Sequence, residues 1–133
     1  MTTEELNKIC QNTFLSHIEI EFTDFGDAYM KARMPVNNKT KQPMGSLHGG
    51  ASLALAESVA GAGSMAIIDT EKYVAYGFQV SGNHLTPVHS GEVWANAQLT
   101  HKGNSVHIWD VQITDINGSL ISIVRVSNMI KEK

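Results

Sequence analysis

The chain has 133 residues, of which 10 are Lys or Arg and 13 are Asp or Glu, a net charge of −3 with only 17% of residues charged. An ordinary globular domain carries ~25% charged residues, roughly ten more than are found in this chain. At 42% hydrophobic it is too apolar for a disordered segment, and its mixed, mildly acidic charge supplies neither a basic stripe for nucleic acid nor a polybasic membrane anchor.

The length fits one domain over residues 1–133. The lone Cys10 cannot form an internal disulfide, and Met1 to Glu5 lacks the basic start and apolar run of a signal peptide. A reducing cytoplasm is the expected compartment.

Thr2 followed by Glu5 reads as a capping box, and Leu6, Ile9, Cys10 and Phe14 recur at helical spacing, which predicts one amphipathic helix of about three turns. Ile18, Ile20 and Phe22 then alternate with glutamates, and after Asp24 to Asp27 a second alternation runs through Ala28, Met30, Ala32 and Met34, a β-hairpin. Val36 to Met44 is a polar loop leading to Gly45 to Gly50. The stretch from Gly49 to Ile68 holds a single charge, Glu57, and its small and apolar residues on every side predict a helix buried all round. A membrane span is the rival reading, and it is disfavoured because Glu57 would sit mid-bilayer at a cost of about 2.5–3.5 kcal/mol with no basic flanks. Strands are predicted over Tyr73 to Val80, Glu92 to His101, Ser105 to Thr114 and Ser119 to Met129, with Ser81 to Gly91 as a loop and tight turns between the last three. The expected architecture is α+β, a curved antiparallel sheet around one long helix.

Several motifs are set aside. Gly61 to Ala66 matches a dinucleotide glycine pattern but lies inside a helix. His17, His48, His84, His89, His101 and His107 form no i, i+4 pair and have no thiolate partner, so no metal is expected; His101 and His107 read as strand residues flanking a turn. Cys10 reads as packing.

Glu57 stands apart, because no Lys or Arg occupies the neighbouring helical positions. It pairs with a distant cation, or its helix face is exposed, or its carboxylate is kept for chemistry as a general base. Ser58, Gly61 and Ser64 are small neighbours that leave room for a water or substrate. At the start of the same helix, free N–H groups at Gly49 and Gly50 converge near Gln42 and His48, a place for an anion or a developing oxyanion. Gly49 and Glu57 are eight residues apart, about 12 Å along a helix, so one chain cannot bring both to one reacting carbonyl. If both serve one reaction, a two-fold dimer with antiparallel helices would set each Glu57 against the partner's helix start.

The run Gln42 to Ser58 (QPMGSLHGGASLALAES) resembles the signature of the hotdog-fold acyl-CoA thioesterases, in the branch that includes 1,4-dihydroxy-2-naphthoyl-CoA hydrolase and one type of 4-hydroxybenzoyl-CoA thioesterase. The resemblance implies a cofactor-free hydrolase of acyl-CoA esters, with aromatic or medium acyl groups, working as a homodimer with shared active sites and often as a dimer of dimers. It makes Glu57 the carboxylate that attacks the thioester or activates water. Gly49 becomes the N–H donor to the carbonyl, and Gln42 and His48 the side chains that orient it. Asn83 and His84 fall near the pantetheine arm, and Lys102 and Gly103 near coenzyme A. The family often places Ser or Thr one turn after the carboxylate, where this chain has Gly61; Ser64 or Ser58 would then hold the water, or the backbone alone would. The competing readings are a hotdog protein that binds acyl-CoA without turnover, and a hotdog dehydratase or isomerase, which would ordinarily use an Asp/His pair.

Overall fold

A computed structural model describes all 133 residues. The N-terminal helix is two short helices, α1 (Thr3–Ile9) and α2 (Phe14–His17). The break falls at Asn12, whose φ of 62° is the left-handed conformation that asparagine tolerates better than most residues. Thr2 and Glu5 do form the capping box, but Ile9 and Phe14 stay exposed, so only Leu6 of the predicted apolar stripe is buried.

The hairpin is present as β1 (Glu21–Phe25) and β2 (Tyr29–Pro35). Its first strand begins later than the alternation suggests, because Glu19 has a φ of 64° and the chain bends there; Ile18 and Ile20 are buried ahead of the strand. The long helix α3 (Gly49–Ile67) is followed by β3 (Tyr73–His84), β4 (Glu92–Lys102), β5 (Val106–Thr114) and β6 (Leu120–Glu132). All six strands form one antiparallel sheet in the order β1-β2-β4-β5-β6-β3. The predicted meander is β4-β5-β6. Beyond Val80, Ser81 to His84 are strand where a loop was expected, because they pair with Ser122 to Arg125 of β6.

The sheet bends through register shifts at Phe22/Asp24, Gly77/Gln79, Leu99/His101 and Ile113/Thr114, each a bulge that increases local twist. Its concave face holds Met30, Ala32, Met34, Val93, Ala95, Ala97, Trp109, Val111, Val124 and Val126, all buried. Alternate positions face outward, the period of a half-buried strand. Alanines on β2 and β4 let the helix approach closely, and α3 packs against β2 through β6.

Although long and apolar enough to cross a membrane by composition, α3 places Leu55, Ala56, Val59 and Ala60 in this core. It is not buried all round: Gly50 and Glu57 are exposed on the opposite face. One chain buries eight of the nineteen helix residues, and apart from Gly50 and Glu57 the others are half-buried. The expected desolvation of Glu57 is therefore not supplied by its own chain.

Candidate active site

The start of α3 is built by a tight turn. Gln42 to Gly45 closes through the Gly45 N–H donating to the Gln42 carbonyl (2.9 Å), and Gly45 takes a φ of 94° that suits glycine. The Gln42 N–H donates to the Ser46 carbonyl (2.8 Å) and the His48 N–H to the Thr40 carbonyl (2.8 Å), which anchors the segment feeding the helix. The Gln42 side chain folds back on this turn: its Nε2 donates to Ser46 Oγ (2.7 Å) and its Oε1 accepts from the Met44 N–H.

His48 is the N-cap. Its Nδ1 accepts from the Gly50 N–H at 2.7 Å, and its carbonyl accepts from Ala51 (3.0 Å) and Ser52 (3.2 Å). Of the first four helical N–H groups, only that of Gly49 has no partner. An unpaired N–H at the positive end of a helix is a donor aimed at incoming negative charge.

His84, at the end of β3, stands over this donor. A Cβ added to Gly49 would lie 2.6 Å from His84 Nε2, so no larger residue fits while the imidazole is there. Its other nitrogen, Nδ1, is 2.8 Å from the Oγ of the buried Ser122. Gln42, Gly49, Ser52, His84, Thr86 and Ser122 contribute to the wall of one cavity of about 260 Å³. Of the sequence candidates, the structure thus brings together Gln42, Gly49 and His84, with His48 fixing the helix start.

Glu57 does not join them. It lies eight residues along α3, about 12 Å away at 1.5 Å per residue, exposed, with its carboxyl carbon 3.1 Å from the position a Cβ on Gly77 would occupy. Gly77 keeps β3 clear of it. Gly61, one turn on, has nothing within 4 Å of an added Cβ, so the space beside Glu57 is open. Ser58 Oγ donates to the Ala54 carbonyl (2.7 Å), bound to its own helix.

Ser64 has a different role from holding a water near Glu57. It is fully buried, and its Oγ lies 2.9 Å from both Trp109 Nε1 and His107 Nδ1 and 3.0 Å from Asn128 Nδ2. Trp109 and Asn128 can only donate here, so the Ser64 hydrogen goes to His107 Nδ1. His107 is therefore neutral, and burial pushes its pKa down, with the charges of Lys102 and His101 adding to the effect. It is a core residue, unlike the exposed His101.

Asn83 and His84 do not share a site. Strand alternation puts Asn83 on the outer sheet face, in a cavity of about 570 Å³ with Asp110, Gln112, Ile123 and Arg125. Lys102 and Gly103 lie at the other end of α3 from Gly49, lining a cavity of about 270 Å³ with Asp69, Tyr73 and His107. No group of three or more His, Cys, Asp or Glu is placed to hold a metal ion.

This arrangement has counterparts. A model of the thioesterase superfamily matches residues 44–122, which run from the turn before α3 into β6. The chain belongs to the thioesterase superfamily. The 1,4-dihydroxy-2-naphthoyl-CoA hydrolase of Escherichia coli is 33% identical to this thioesterase over 98% of the chain and 95% of its own length. A solved Pseudomonas aeruginosa thioesterase, carrying a Gln-to-Ala substitution, superposes with a TM-score of 0.97 at 35% identity, covering 100% of this chain and 96% of the other. A Staphylococcus aureus thioesterase, 38% identical, has been solved with Gln replaced by Ala (TM-score 0.86, covering 88% of this chain and 97% of the other) and with Glu replaced by Ala (TM-score 0.88, covering 90% and 98%). Those two substituted positions are fifteen apart, as are Gln42 and Glu57.

The fold is the hotdog fold, and the protein is a thioester hydrolase, which sets aside binding without turnover as well as the dehydratase reading. Ser122 escaped the sequence reading of this thioesterase, although one signal was present: a serine at an inward position between Ile121 and Ile123 of β6.

Proposed function

We infer that this thioesterase hydrolyses acyl-CoA esters, with aromatic or medium acyl groups, at sites shared between two chains. The observation that carries the reading is the single unpaired N–H of Gly49 at the start of α3, about 12 Å along the helix from the exposed Glu57. The thioester carbonyl oxygen accepts from Gly49 in one chain. Glu57 of the second chain either attacks the carbonyl carbon, breaking the C–S bond to give a mixed anhydride that water then hydrolyses, or takes a proton from a water that attacks and displaces the thiolate; by either route the acyl group leaves as the free acid and the CoA thiolate takes up the proton that the water gives up. Gln42 orients the carbonyl once its amide lets go of Ser46. His48 holds the helix start in the geometry that leaves Gly49 free.

Pairing is supported by β3. It is one of the two edges of the sheet, twelve residues long, without a charged side chain, and it leaves Tyr76 and Phe78 exposed. Natural proteins rarely leave such an edge open. A second β3 alongside would cover the helix face that a single chain leaves half-buried and take water from Glu57. Lys102 and Gly103 meet the nucleotide end of CoA, His84 meets the thioester end of the pantetheine arm, and the outer sheet face with Asn83 is available for a dimer of dimers. The free thiol of Cys10 suits a reducing cytoplasm.

The test is Glu57→Gln in a thiol-release assay over aromatic, short and long acyl-CoA esters, with oligomer mass followed by light scattering. Turnover falls by at least about a thousandfold, as when a nucleophile or base is lost, while the mass stays dimeric or larger. Near-normal turnover, or a monomer with full activity, overturns the reading.

A further inference from the structure

The structure points to a second hydrogen-bond donor at the thioester carbonyl: we propose that His84 Nε2–H joins the Gly49 N–H in binding the oxyanion, and that Ser122 is the residue that puts the proton on that nitrogen. This deepens the acyl-CoA hydrolase reading and rests on it.

Ser122 is 1% exposed, and its hydroxyl has one hydrogen-bond partner, His84 Nδ1 at 2.8 Å. If the imidazole donated from Nδ1, the buried Ser122 hydrogen would have no acceptor, at a cost of ~1–3 kcal/mol. The arrangement that satisfies both groups has Ser122 O–H donating to Nδ1, which leaves the hydrogen of neutral His84 on Nε2. Nε2 is the ring atom nearest Gly49, 2.6 Å from where its Cβ would stand, and both residues line the same cavity. Two donors therefore stand side by side in the wall of one cavity, a backbone N–H that nothing else uses and a side-chain N–H whose tautomer is set from behind. As the carbonyl carbon becomes tetrahedral its oxygen gains negative charge, and both bonds strengthen at that moment. The positional need for glycine at 49 follows too, since any side chain would push the imidazole out of line.

The experiment uses the full chain and the thiol-release assay with a fixed acyl-CoA ester, and compares two isosteric replacements. His84→Asn keeps an acceptor near the Nδ1 position, and so the Ser122 bond, but has no donor where Nε2 was. His84→Gln places an amide N–H near the Nε2 position and forgoes the Ser122 bond. The expected result is a kcat loss of about 10²–10³-fold for His84→Asn with KM changed less than about threefold, and a loss of at most about tenfold for His84→Gln. Ser122→Ala lowers kcat in the native background and has no further effect in His84→Gln, where there is no tautomer left to set.

His84→Asn matching or exceeding His84→Gln would overturn the proposal, because a purely structural histidine is better replaced by the variant that keeps the Ser122 bond. A raised KM at unchanged kcat would also overturn it, in favour of contact with the substrate arm alone. An equal Ser122→Ala effect in both backgrounds removes Ser122 from the scheme. If the wild-type chain releases no thiol from any ester, it is the acyl-CoA reading that fails.

Discussion

Replacing Ser64 with Ala removes one oxygen and decides between two roles for it. That oxygen lies 2.9 Å from Trp109 Nε1, 2.9 Å from His107 Nδ1 and 3.0 Å from Asn128 Nδ2. Asn128 keeps its bond to the Ala60 carbonyl at 3.1 Å. Trp109 Nε1 and His107 Nδ1 keep nothing, and both residues are buried. A stranded buried polar group costs ~1–3 kcal/mol, so two give about 2–6 kcal/mol, a large share of a typical 5–15 kcal/mol stability. The assay is equilibrium urea unfolding followed by tryptophan fluorescence, with thiol release measured on the folded protein. The expected outcome is a loss of about 3 kcal/mol, roughly a 10 °C fall in Tm at this chain length, with turnover of the folded enzyme within about twofold. An unfolding free energy changed by less than ~0.5 kcal/mol together with a hundredfold drop in turnover would refute the argument and restore Ser64 as a water ligand.

Gly63→Ala is expected to destabilise by about 1–2 kcal/mol in the same urea assay: an added Cβ would lie 2.6 Å from Trp109 Cη2, and overpacking outweighs the better helix propensity. Gly61→Ser, whose Cβ meets nothing within 4 Å, should raise stability by about 0.5 kcal/mol without lowering thiol release; a tenfold loss would show that substrate uses that space. Stability should fall on the acid side through His107. Its folded pKa is depressed below the ordinary 6.5, so the unfolded chain takes the proton first, and stability is full above about that pH and declines as pH drops toward the folded value. Urea midpoints against pH should show this decline, and His107→Asn, which keeps an acceptor for Ser64 without titrating there, should flatten it. A separate loss at lower pH is expected from Asp110, whose bonds to Arg125 and Thr100 hold its pKa below the ordinary carboxylate value.

Where one strand or helix face decided the pattern, the sequence was readable. The alternation of Met30, Ala32 and Met34, the turn chemistry of Lys102 to Asn104, and the long run from Gly49 with its single charge all correspond to elements in place. What failed depended on residues distant in sequence. Ser81, Gly82 and Asn83 have poor strand propensity, and only the ladder with β6 makes them strand. Ser64 is seven residues from Glu57 and shares its helical face in projection, but β5 and β6 curl over the far half of α3 and bury one while the other stays exposed. The cavity was half legible for the same reason. Gln42, His48 and Gly49 fall within eight residues of sequence, whereas His84 and Ser122 meet across a strand ladder whose register no local signal specifies.

The uncharged edge at β3 also bears on the life of the newly made polypeptide. Edge strands are commonly guarded by lysine, proline or a strong bulge, and this one has only the irregularity at Gly77/Gln79. A freshly synthesised chain therefore carries an open hydrogen-bonding template flanked by Tyr76 and Phe78 until something covers it.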